Sequence, residues 1–172
     1  AMVNSLDEWI ALYKKLIHWE LLLENSNEPA MLEILESQKM EANSLFFKFI
    51  KKNYKDLLNS SDLIFSHTLF KKVIAPQIQQ KPTLWVVVDN LRYDQFRTIE
   101  PIVNQFYKKK AEIDYFSILP TATQYARNAL FSGMLPLEME QKFPQYWKSD
   151  SDEGGKNLYE NEFLTEQIKK FR

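Results

Sequence analysis

The spacing of apolar residues changes between Pro76 and Pro82, and that change limits the fold more than any other feature. Before it, apolar side chains recur at threes and fours. After it, "LWVVV" (84–88) is a solid apolar run closed by Asp89, short and uniform like strands covered on both faces of a parallel sheet. Ahead of the break, Ser5 and Glu8 have capping-box spacing. Trp9, Leu12, Leu16, Trp19 and Leu23 then make the stripe of a first helix, with the two tryptophans sharing a face. "ENSNEP" ends that helix, and Asn27 or Ser26 is placed to cap a second one running to Leu58, with Leu32, Leu35, Ala42, Leu45, Phe49 and Leu57 on its buried side. "SSDLIF" restarts a third, carrying Phe65, Leu69 and Val73, which Pro76 is expected to end. Short turns between long helices imply antiparallel neighbours, so residues 5–76 are expected to form a helical bundle.

Beyond the break the predicted order is strand, helix, strand. A helical stretch from Leu91 places Phe96, Ile99, Val103 and Phe106 inward, and "EIDYFSIL" (112–119) reads as a second strand. "LPTATQYARNALFSG" (119–133) follows as a threonine-led helix; then come a proline-punctuated loop, the acidic turn "SDSDEGGKN" (149–157) and a last helix with Phe163, Leu164, Ile168 and Phe171. The expected class is therefore α/β, a helical bundle over 5–76 followed by the first β-α-β units of a parallel sheet in 82–172. A right-handed crossover between neighbouring strands would bring Asp89, after the first strand, and Thr121 and Thr123, after the second, to the edge where open α/β sheets bind ligands.

Taken singly, Asp89 and Thr123 are each explained as helix caps. Taken together, a carboxylate and a hydroxyl at one helix N-terminus can share a divalent metal, which lowers the hydroxyl's pKa and lets an alkoxide attack phosphorus. Arg127 and Asn128, a turn past Thr123, could touch a phosphate, or Arg127 could pair with acidic surface groups. Asn90, Arg92 and Asp94 read either as groups supporting Asp89 or as an exposed first helical turn.

Composition removes several other chemistries. The 172 residues carry 22 basic and 23 acidic side chains, a net charge of −1, so nothing in the total draws the chain to nucleic acid or an anionic membrane. Without cysteine there is no disulfide, thiolate zinc site or cysteine nucleophile, which suits a reducing cytoplasm. No apolar run approaches the roughly 20 residues that span a bilayer, so no membrane insertion is expected. His18 and His67 lie in the helical part without the spacing of a ligand pair, and "KFIKKNYKD" (48–56) reads as a solvated helix face.

"VVVDNLRYDQF", then "LPTATQYARNALFSG" and "PLEMEQKFPQYW", resemble the start of a PglZ domain, a branch of the alkaline phosphatase superfamily. "DEWIALYKKLIHWELLLENSNEPAMLEILESQKMEAN" extends the resemblance to the helical linker of PorX-type response regulators of the Bacteroidetes type IX secretion system. The resemblance implies that Asp89 is a metal ligand and that Thr123, the second threonine of P-T-x-T, is both metal ligand and phosphate nucleophile, leaving Thr121 a structural role. It implies two zinc ions in the complete domain, with the remaining ligands outside this chain, and a phosphodiesterase acting on nucleotide-type substrates. No receiver signature precedes Ser5, so the chain is expected to be part of such a regulator and catalytically silent by itself. The alternative is regulation and assembly: a bundle that relays a receiver's state to a homodimer, and a PglZ platform for a signalling or secretion-system partner. Trp9, Trp19, Phe46 and Phe47 read as core, or as the seam of that dimer.

Overall fold

The structure, a computed structural model, describes residues 3, 5–24, 26–149 and 151–171. It resolves into two compact units, one of residues 1–57 with 87–113 and one of 58–86 with 114–172.

In the first unit the capping box forms as its spacing requires. The Ser5 hydroxyl accepts from the Glu8 amide and the Glu8 carboxylate accepts from the Ser5 amide at 3.0 Å, starting α1 (Leu6–Leu23). The Ser26 hydroxyl donates back to the Leu23 carbonyl at the end of α1, and Pro29, whose missing N–H costs nothing at a first turn, opens α2 (Pro29–Leu58). Trp9 meets Phe46 and Phe49, while Glu20 pairs with Lys39 at 2.7 Å. Contacts that descend α2 while climbing α1 define an antiparallel hairpin. Trp9 is 7% exposed and Trp19 is 41% exposed. They do not share a face, because ten residues at 3.6 per turn leave about 80° between them. Leu35 is buried, but Leu32 and Leu45 are exposed, since α1 is shorter than the 30-residue α2 and covers a single stripe of it. Helix α5 (Tyr93–Val103) belongs to this unit.

In the second unit the third helical segment begins at α3 (Ser66–Leu69) and does not stop at Pro76. A π-helical turn over Phe70–Ile74, in which the Ala75 amide reaches the Phe70 carbonyl, leads into α4 (Ala75–Ile78). The wider turn resets the ladder, so proline falls in the first turn of α4, where no amide donor is needed. Helices α6 (Thr123–Ser132), α7 (Pro136–Lys142) and α8 (Glu160–Lys169) complete the unit around Phe70, Ile118, Ala129, Met139 and Phe163. Helix α7 lies in what the sequence presented as a loop; Pro136 at its first position was the available signal. The acidic turn closes on itself, with Lys148 donating to the Glu153 carbonyl and Lys156 to the Ser149 carbonyl.

The α/β expectation fails. Among the described residues there is no strand and no parallel sheet. Residues 84–88 take no regular secondary structure and pair with no neighbouring backbone among the described residues; Trp85 packs against Phe70 and Phe131, whereas Leu84 is 88% exposed and Val86 and Val88 are also open. The second expected strand makes one parallel bridge, Phe65 to Phe116, with the Ser66 amide donating to the Phe116 carbonyl and the Phe116 amide to the Ile64 carbonyl. An apolar run becomes a strand only where another backbone runs alongside to take its amides and carbonyls. Among the described residues, 112–119 finds a backbone partner ahead of α3 and 84–88 finds none. Accordingly Ile99, Val103 and Phe106, expected against a sheet, are exposed, Phe106 at 76%. Among the described residues no helix is long and apolar enough to cross a membrane.

Candidate functional site

Asp89 ends the apolar run and occupies an exposed turn. Its Oδ1 accepts from the Asn90 amide at 3.1 Å, and Asn90 holds φ at 56°, a left-handed setting that asparagine tolerates better than most residues. The turn hands over to α5, whose entry is fixed by the Gln95 side chain accepting from the Arg92 amide and by an Arg92–Asp94 ion pair at 2.7 Å. The Arg92 guanidinium beside Asp94 holds that carboxyl below its ordinary range. Arg92 and Asp94 thus order the start of the helix.

Thr121 and Thr123 follow a cis Leu119–Pro120 bond. Thr123 is the first helical residue of α6 and Ala122, which has no polar side chain, is its N-cap. Neither threonine therefore acts as the cap that a helix-leading threonine usually is. Both are exposed, and the Thr123 hydroxyl stands at the helix end where unpaired amides and the positive end of the dipole favour an anion.

Arg127 and Asn128 are committed elsewhere. Arg127 pairs with Glu160 of α8, Nη2 to Oε2 at 2.9 Å and Nε to Oε1 at 2.5 Å. Asn128 is fully buried and donates to the Lys156 carbonyl at 2.9 Å, while its Oδ1 has no partner among the described residues. Thr123, Arg127 and Asn128 share α6 in the second unit, and Asp89 belongs to the first.

Zinc, which the sequence resemblance implies, takes about four nitrogen, oxygen or sulfur donors. Among the described residues no group of three or more histidine, aspartate or glutamate side chains gathers to hold a metal. The described residues do not make a complete zinc site.

Sequence reasoning passed over a charged cluster in the first unit. Glu112 takes Lys14 at 2.9 Å and Lys109 at 3.1 Å, and these two ammonium groups hold its carboxyl at about 2. Lys109 also reaches Glu100, which is nearly buried and bonded to Arg97. Lys14 and Glu112 are 98 residues apart, and no local pattern marks such a pair.

Compared with known protein families, residues 1–58 match the PorX response regulator linker domain and residues 69–171 match the BREX system PglZ alkaline phosphatase-like domain. No curated protein matches the chain. The second match spans more than half of the sequence, including Asp89 and the threonine-led α6, and follows the linker in order; the chain belongs to the PglZ alkaline phosphatase-like family and carries a PorX-type response regulator linker ahead of that domain.

Proposed function

We propose that this chain supplies the linker and the nucleophile-bearing part of a zinc-dependent phosphodiesterase in a cytoplasmic regulator of type IX secretion, acting on a nucleotide-type phosphodiester. Thr123 is the nucleophile and Asp89 a metal ligand, with the other zinc donors contributed from outside these residues. One observation carries the reading. Thr123 presents an exposed hydroxyl at the N-terminus of α6 without serving as its cap, in a domain of alkaline phosphatase-like family. The first-turn amides there suit a phosphate oxygen, and a hydroxyl beside them is placed to form a covalent phosphoryl intermediate.

The test is hydrolysis of a chromogenic phosphodiester by the intact regulator during zinc titration. Thr123→Ala is expected to abolish turnover while leaving unfolding unchanged to within about 0.5 kcal/mol, because the hydroxyl caps nothing. Asp89→Asn is expected to weaken zinc binding. Turnover that survives Thr123→Ala would sink the assignment. The isolated 172-residue chain is expected to show none.

A binding platform is the second reading, favoured by the apolar side chains that α2 leaves open, Met31, Ile34, Met40 and Phe47 among them. A metal-free, inactive regulator that still forms homodimers or holds a signalling partner would select it.

A further inference from the structure

Four residues beyond Asp89 the chain is fastened to the linker. Tyr93, the first residue of α5, lies against Tyr13 of α1 with ring centroids 6.1 Å apart, and Lys14 Nζ stands 5.6 Å from the centre of the Tyr93 ring. The same ammonium reaches Glu112 Oε1 at 2.9 Å, and the Tyr93 hydroxyl donates to that oxygen at 3.4 Å. One carboxylate oxygen thus gathers a linker lysine and the residue that opens α5. Between Tyr93 and Asp89 little slack remains: Asn90 is held at positive φ and Arg92 is tied by its backbone to Gln95 and by its side chain to Asp94. A displacement of α1 is therefore passed to the Asp89 turn rather than absorbed before it.

We propose that Lys14, Tyr93 and Glu112 are positioning residues for Asp89, forming a pin through which the linker helix sets the placement of that turn. The catalytic meaning of the pin rests on the reading of Asp89 as a metal ligand, but its existence does not. The ion pair is only partly shielded, with about 28% and 29% of the two side chains open, so its loss shifts a local equilibrium by a modest factor.

Amide hydrogen exchange on the 172-residue chain tests it. Lys14→Met, which keeps the apolar stem, is expected to raise exchange at residues 89–93 about threefold to fivefold, the size of a part-exposed ion pair, with peptides from α2 unchanged. Lys14→Arg restores the wild-type rate. Tyr93→Phe keeps the ring and removes the hydroxyl, giving a smaller rise at the same residues, and decides the matter if Lys14→Met does not fold. Unchanged exchange at 89–93, or a rise spread evenly over α1, α2 and the turn, overturns the proposal, since a merely structural pair would loosen the whole unit. Absence of zinc-dependent turnover in the intact wild-type regulator overturns the catalytic purpose of the pin, while the exchange pattern still decides whether the pin exists.

Discussion

The two units bury their residues differently. In the second, Phe163, Met139 and Ala129 are fully enclosed, and polar side chains go inside with them: Asn128, Ser132 and Gln167. In the first, the deepest apolar residues, Leu35, Leu6 and Trp9, keep 5 to 7% of their surface. A helical hairpin buries one stripe per helix. Several short helices meeting from different directions enclose a centre, and that centre can hold polar groups because neighbouring carbonyls accept from them. Gln167 illustrates this by donating to the carbonyls of both Leu130 and Phe131 near the end of α6. Stability in the second unit should therefore hang on a few enclosed residues, and in the first on helix ends and charged cross-links.

The largest effect that would test this contrast is Phe163→Ala, expected to cost about 3 to 5 kcal/mol in denaturant unfolding. A loss below about 2 kcal/mol, which only a site that collapses freely would give, would break it. Next comes Gly133→Ala. Gly133 ends α6 at φ 67°, and a methyl there would overlap the Gln167 amide oxygen. Left-handed strain of about 1 to 2 kcal/mol adds to the displaced glutamine, so the variant should unfold clearly earlier, with exchange rising first where α6 meets α8. For the first unit, Ser5→Ala removes half of the capping box and should cost about 1 kcal/mol, seen as faster exchange confined to the first turn of α1.

The smallest expected effect is a pH dependence that differs between the units. Burial pushes the His67 imidazole below its ordinary 6.5, helped by Lys72 and opposed by Glu138. The fold therefore prefers the neutral ring, and its contribution is complete above pH 6.5 and lost as pH falls from there. Glu112 in the first unit is held at about 2 against an ordinary 4.5, so its pairing persists down to pH 4.5 and is lost between 4.5 and about 2. On acidification the second unit should loosen first, and His67→Gln should flatten that early step. Proton titration of His67 at or above 6.5 would remove the difference.

Helix positions in the linker were legible because they are local. Ser5, Glu8, Pro29 and the stripe through Trp9 act within a turn or two, and α1 and α2 begin and end close to where those signals stand. The candidate residues were legible as types for the same reason: an aspartate closing an apolar run and a threonine opening a helix can be read along the chain. What they do there could not. Whether Thr123 caps α6 depends on which residue takes the cap position, and Ala122 takes it. Arg127 read either as a phosphate contact or as the partner of an acidic group, and only the fold shows that Glu160 is that partner and that Asn128 donates to the Lys156 carbonyl.

Sequence by itself determined the two linker helices, the threonine-led α6, the last helix and the family to which the chain belongs, since period, caps and motif spacing are properties of neighbours along the chain. Tertiary structure alone decided whether the apolar run at 84–88 would be a strand, where Pro76 would fall in its helix, and that Lys14 would find Glu112. Each of those outcomes depends on a partner remote in sequence or on the packing around a turn. A backbone edge, a helix reset or an ion pair exists only when the rest of the chain has arrived.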